Sequence, residues 1–341
     1  MSGSGARVSY GALDAWTARL ASSLTTDQTA GLAGAPVAFL AEAGPAHLAT
    51  LLGILRAGGM AVPLSPLHAR PELEYQLATA AAVELLATPA LRATLAAAAP
   101  GRAVRLIKTA GLDSTADRGH ASSAAPALPP PPGADAPAIM LYTSGTTGRP
   151  KGVRLAHAAV AATLAALETA WRLRADDRLL HVLPLHHTHG LIVAALGGLW
   201  AGAEVRFLPF EPVAAWEALA GVTVFMAVPT IYAKLMEALR AAPADRRARW
   251  TAAAARLRLF TSGSAALPAS RLEEFRAATS QTILERYGMT EIGMALSNPY
   301  DGPRVSGAVG VPLPGVEVEL VDDDGAPAPT GETGELRVRS T

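Results

Sequence analysis

Short apolar runs recur along this chain, separated by stretches whose apolar residues fall at helical spacing. Pro36–Leu40, Met60–Leu64, Ala138–Leu141, Arg178–Leu183, Val222–Val228 and Leu257–Thr261 each read as a buried strand, with Ala103–Ile107 a further short one. Between them, Tyr10–Leu24 repeats Leu13, Trp16, Leu20 and Leu24 behind Ser9, which is placed to cap a helix. His47–Leu55, Leu91–Ala98, His157–Trp171 and Ile231–Arg240 also read as helices. Strands that alternate with helices predict an α/β fold on parallel sheets. At 341 residues, 50% of them hydrophobic, the chain has material for more than one core.

The expected organisation is two parallel-sheet α/β subdomains packed together, over 6–132 and 133–305, with residues 1–5 disordered. The boundary follows a loop from Thr115 to Gly133 that ends in the polyproline stretch Pro129–Pro132. The tail changes character. Over 306–341, Val309–Leu313 and Val316–Val321 run apolar, Asp323-Asp324-Gly325 offers a turn, and Glu335–Val338 returns. That pattern predicts a small antiparallel β subdomain.

Charge and cysteine content narrow the partners. Lys and Arg together number 29, as do Asp and Glu, so no net field argues for nucleic acid or a membrane surface. The absence of cysteine excludes a disulfide framework, a thiolate metal site and a thiol nucleophile. No signal-like N-terminus is present, and no apolar run reaches the roughly 18 residues of a membrane span. The longest, Leu191–Trp200, reads as a buried helix. A cytoplasmic protein is expected.

The chemistry concentrates in four segments. The first, Tyr142–Gly152, follows a strand and gathers hydroxyls, glycines and Lys151 with almost no bulky side chain. Glycine lets backbone N–H groups approach phosphate oxygens, and lysine adds a point charge. The Walker frame is absent, so this is not a P-loop. The second, Leu183–Leu191, carries His186, His187 and His189. As a strand it would put His187 and His189 on one face, but no neighbouring acid or cysteine completes a zinc site. The third, Ser262–Pro268, is a small-residue turn that suits either a flat ring or an ordinary strand-to-helix connection. The fourth is Glu285–Glu291. Taken alone, its Thr290 and Glu291 fit the first turn of a helix; beside a phosphate loop they fit a phosphate donor and a Mg²⁺ ligand.

Tyr142–Gly152 resembles the phosphate-loop signature of the adenylate-forming (ANL) superfamily, and Tyr287-Gly288-Met289-Thr290-Glu291 resembles the motif that this family pairs with it. Leu51–Pro66, Leu183–Leu191 and Gly334–Ser340 resemble further family segments. The resemblance implies ATP-dependent activation of a carboxylate to an acyl-adenylate, then transfer to coenzyme A, with ATP, Mg²⁺ and coenzyme A as participants. It implies that Thr143, Ser144, Gly145, Thr146, Thr147, Gly148 and Lys151 hold the phosphates. Thr290 would touch the α-phosphate and Glu291 would hold Mg²⁺. Gly263, Ser264, Ala265, Glu285, Tyr287, Gly288 and Met289 would surround the nucleotide. His187 would line the acyl pocket.

Arg286, just ahead of Tyr-Gly, narrows the acid, because a buried dicarboxylate needs a cation for its far end. Arginine there resembles the malonyl-CoA synthetases, which implies malonate as substrate, with His187, His189 and Ser262 completing the pocket, and a link to fatty acid metabolism. Alternatives are methylmalonate, another short or medium-chain acid, a salt bridge from Arg286 to Glu285, or a non-catalytic nucleotide-binding module. Lys234 and Arg304 are more distant cation candidates. The family's smaller C-terminal domain has no counterpart in this sequence. The chain is therefore expected to be the large N-terminal domain, with that missing domain as its partner.

Overall fold

The computed structural model describes residues 7–25, 31–108, 128–143 and 149–340. Residues 1–5, Ser144–Gly148 and most of the Thr115–Gly133 loop lie outside these. The chain divides into two compact units, 1–158 and 159–341.

The first unit runs α1 (Tyr10–Leu24), β1 (Pro36–Leu40), α2 (Pro45–Arg56), β2 (Met60–Pro63), α3 (Arg70–Ala80), β3 (Glu84–Ala87), α4 (Arg92–Ala97), β4 (Arg105–Leu106), β5 (Pro137–Thr143) and β6 (Lys151–Ala156). The sheet order is β4-β3-β1-β2-β5-β6, parallel up to β5, with β6 antiparallel at the edge. The near-continuous burial of β1, β2 and β3 is what a parallel sheet demands. Ser9 caps α1 as expected, accepting from the Ala12 N–H at 3.1 Å. A Cβ on Gly53 would stand 2.7 Å from Leu20, so glycine in α2 lets the two helices pack closely.

The expected boundary before residue 133 moves to the 158/159 junction. β5 pairs with β2, and β6 folds back on β5, so both strands flanking the phosphate loop belong to the first sheet. β6 escaped the sequence reading because only Leu155 of its six residues is buried. It is an edge strand without an apolar stripe.

After α5 (His157–Trp171), the second unit continues through β7 (Arg178–His181), a π-helix (His189–Leu196), α6 (Gly197–Trp200), β8 (Glu204–Phe207), α7 (Pro212–Ala218), β9 (Val224–Ala227), α8 (Pro229–Ala241), α9 (Ala244–Ala254), β10 (Leu259–Ser262), α10 (Ala269–Thr279), β11 (Leu284–Met289), β12 (Gly293–Ser297), β13 (Val311–Pro312), β14 (Val316–Val321) and β15 (Glu335–Ser340). Strands β8-β7-β9-β10-β11 are parallel, and β12 and β13 extend the sheet antiparallel. β14 and β15 form the antiparallel pair expected of the tail, and Gly325 at φ +79° lies in a tight turn that folds Pro327 back on Val321 within their connection. The mixed α/β class is as expected. Phe225, Phe260, Phe275 and Tyr232 meet edge-to-face in the core of this unit, and Trp216 stacks on Trp250.

A buried ion pair fastens the start of β7. Asp177, its side chain 2% exposed, receives the Arg258 guanidinium on both oxygens. It also accepts from Thr223 Oγ1 at 2.8 Å and the Arg174 N–H at 3.0 Å. Burial pushes the Asp177 carboxyl up, but Arg258 and the two other donors outweigh it and hold the group below the usual carboxylate range. Arg258→Ala is expected to destabilise the protein by about 3–5 kcal/mol, since it strands a buried carboxylate. Asp177 favours folding fully above its unfolded value near 4, and that contribution disappears as pH falls through the depressed native value. Urea melts of parent and variant at pH 7 and pH 3 check both statements, with the difference shrinking at the lower pH.

Candidate functional site

In the first unit, β5 and β6 hold the two stems of the phosphate loop. Thr143 pairs in register with Lys151, and Tyr142 with Gly152, so both stems belong to one antiparallel pair. Helix α3 fixes both stems. Tyr75 donates to the Pro150 carbonyl at 3.0 Å, and Tyr142 donates to the Gln76 carbonyl at 2.8 Å. Lys151 is exposed at the loop's end.

In the second unit, β10 and β11 lie side by side, with Ser262 in register with Glu285. Successive strand residues face opposite ways, so Glu285 and Arg286 serve different surroundings. Glu285 accepts from the Gly307 N–H at 3.1 Å, and its carbonyl takes the Asn298 amide, so it ties down the 298–308 connection. No ion pair joins it to Arg286 among the described residues. Arg286 is 4% exposed, and its Nε and Nη2 have no hydrogen-bond partner among those residues. Burial pushes its ionisation down to about 10, which still leaves the guanidinium charged at neutral pH.

The surroundings of Arg286 are equally unsatisfied. Both ring nitrogens of His189 and the Ser262 hydroxyl are buried without partners among the described residues. Burial first, then the charge of Arg286, holds His189 well below its usual value, so the ring is neutral. Gly263 lies flat against the guanidinium: a Cβ there would stand 2.5 Å from Arg286 Cζ. Beyond it Ser264 takes φ +70°, a left-handed conformation unusual for a non-glycine residue. Ser264 and Ala265 are exposed.

The histidine segment departs from the expected strand. β7 ends at His181, and His187 is exposed while His189 is buried, so the two do not share a strand face. The apolar run expected as one buried helix begins as a π-helix, and only its last turn, α6, is α-helical. Gly190 makes this possible, because a Cβ there would lie 2.1 Å from the Pro184 carbonyl oxygen. His181 Nε2 donates to the Gly190 carbonyl at 2.8 Å, and burial lowers its ionisation to about 4.

The Tyr287–Glu291 motif is a β-hairpin turn, not a helix start. β11 bulges between Tyr287 and Gly288, and a Cβ on Gly288 would stand 2.3 Å from the Gly293 carbonyl oxygen. Met289 and Glu291 are exposed, Tyr287 and Thr290 half-buried. Thr290 Oγ1 accepts from Thr188 Oγ1 at 2.9 Å. Arg304 donates to the Thr282, Pro299 and Tyr300 carbonyls and is structural, and Lys234 is exposed on α8.

Residues 1–341 match the AMP-binding enzyme family. The chain belongs to that family. It is 38% identical over 312 residues to the mitochondrial malonate–CoA ligase ACSF3 of Xenopus laevis, covering 84% of this chain and 51% of that protein. It is 37% identical to the crystal structure of apo MatB from Rhodopseudomonas palustris, with a TM-score of 0.83 over 99% of this chain and 66% of that one. A malonyl-CoA ligase ternary product complex with methylmalonyl-CoA and AMP bound gives 35% identity and a TM-score of 0.82, over 100% and 70%. The chain spans about half the length of the curated relatives it matches.

For an AMP-binding enzyme, the exposed Glu291 carboxylate is a hard oxygen donor of the kind Mg²⁺ takes. Thr188 and His181 were missed by the sequence reading. Thr188 lies in the Leu183–Leu191 segment but was passed over beside its histidines, and it reaches Thr290 across 102 residues; His181 stands in no motif that signals chemistry.

Proposed function

We propose that this chain is the acid- and nucleotide-binding portion of a malonyl-CoA synthetase. The observation that carries the reading is Arg286, a buried cation with two unpartnered donors. A buried guanidinium without a carboxylate is costly, and the planar fork matches a carboxylate bidentately. Malonate has one carboxylate for Arg286 and another to react. The neutral His189 and the Ser262 hydroxyl are further donors of the right kind.

In this reading, the reacting carboxylate attacks the α-phosphorus of ATP and pyrophosphate leaves, giving malonyl-adenylate. The thiol of coenzyme A then attacks the activated carbonyl, and AMP leaves. No side-chain nucleophile is needed; positioning and charge neutralisation supply the catalysis. Lys151 and Thr143 serve the phosphates, Thr290 serves the α-phosphate, and Glu291 would hold the Mg²⁺ that neutralises developing phosphate charge. A monocarboxylate leaves Arg286 buried and unpaired, which is how the site rejects it.

Calorimetry with ATP and Mg²⁺ present tests the proposal. Malonate is expected to bind and octanoate is not. Equal binding of both would make this a general acyl-activating domain. A methylmalonate titration beside them sets how far the pocket tolerates a branch.

A further inference from the structure

Thr188 is 7% exposed, immediately before the π-helix, and its hydroxyl is spent on one partner across the chain. The direction of that bond matters. Thr188 Oγ1 donates and Thr290 Oγ1 accepts, at 2.9 Å. A hydroxyl carries one hydrogen and two acceptor lone pairs, so Thr290 keeps its only hydrogen for another group. Phosphate oxygens offer acceptors alone. Thr290 is thus held as a donor, and accepting a bond polarises its O–H further.

Thr188 is itself held from behind. Gly190 is wedged against the Pro184 carbonyl, leaving no room for a side chain, and His181 donates to the Gly190 carbonyl at 2.8 Å. The same short segment carries His189, which is held neutral in part by the charge of Arg286. One rigid turn therefore touches Thr290 through Thr188 and the surroundings of Arg286 through His189.

We propose that Thr188 is a positioning residue, which holds Thr290 with its hydroxyl hydrogen directed to the α-phosphate of the nucleotide. The inference rests on the proposed role of Thr290 and on no particular acid. Its test is therefore read on AMP, by calorimetry with this chain, for Thr188→Val, Thr188→Ser, Thr290→Val and the Thr188→Val/Thr290→Val double variant. Hydrogen bonds to charged groups set the scale: Thr290→Val is expected to weaken AMP about 10–100-fold and Thr188→Val about 5–10-fold. Thr188→Ser, which keeps the donor, stays within about twofold, and the double variant is no weaker than Thr290→Val alone. Malonate affinity in Thr188→Val stays within about twofold, because Thr188 shares no hydrogen-bond partner with Arg286 and independent sites couple by only tenths of a kcal/mol.

Should Thr188→Val not fold, Thr188→Ala carries the same expectations. Parent-like AMP affinity in Thr188→Val overturns the proposal. So does multiplication of the two single effects in the double variant, or a parent chain that does not bind AMP. A parent that binds AMP but not malonate refutes the substrate proposed above and leaves the Thr188 cycle readable.

Discussion

Arg286→Met is expected to lose malonate binding by at least about 10²-fold and yet to melt at a higher temperature than the parent. The first effect follows from stranding a carboxylate that had a bidentate, charge-assisted partner, a loss of about 3–5 kcal/mol. The second follows from the burial of the guanidinium. The guanidinium is buried with two unpartnered donors, so the folded protein carries a desolvation cost that the unfolded chain escapes. Replacing buried charge with an apolar side chain is commonly neutral or stabilising, by up to about 4 kcal/mol. Calorimetry and a thermal melt on the same sample check the pair. A melting point that falls together with affinity would mark Arg286 as a structural residue. Malonate should raise the parent's melting temperature and leave that of the variant unchanged, because only the parent binds it.

Gly263→Ala is expected to lose malonate affinity with stability left almost unchanged. The new methyl would stand 2.5 Å from Arg286 Cζ, 2.6 Å from Nε and 2.7 Å from Nη1, so the guanidinium must move. It is the far end of a flexible side chain, and the backbone at 263 is not in the left-handed region, so the fold tolerates the change. A lost hydrogen bond between charged groups costs about 1.5–3 kcal/mol, so malonate affinity should fall by about 10–100-fold. The melting temperature should shift by no more than about 2 °C. Combined with Arg286→Met, the glycine substitution should cost nothing more, since the group it displaces is gone. An alanine variant that keeps parent affinity would mean the guanidinium does not contact the acid.

Most of the parallel strands that the sequence displayed were buried on both faces. β1, β2, β5, β7, β9 and β10 are continuous apolar runs, and burial is what wrote them. β6 carried no such mark, and with it went the position of the boundary between the units. The π-helix was illegible for another reason. Every residue from His189 to Leu196 is buried, so no periodicity distinguishes one helical winding from another. Arg286 was legible as a cation in an unusual place. What it lacks, a partner, is a property of three dimensions, as is the packing of Gly263 against it. Glu285, its neighbour in sequence, drew the same attention and turned out to fasten the Gly307 loop.

The winding of His189–Leu196 has a consequence for how this pocket is encoded. A π-helix spans one residue more between donor and acceptor than an α-helix does. Remove one residue and ordinary winding is restored over nearly the same total turn, because the wide turn had absorbed the extra residue, so the residues inside the segment change the way they face. Which way each of them faces therefore depends on how many residues the segment holds, independently of which apolar residues they are. Exchanging leucine for isoleucine or valine along it leaves that arithmetic intact. A single-codon deletion does not, and an alignment of related pockets would record the difference as a gap rather than a substitution.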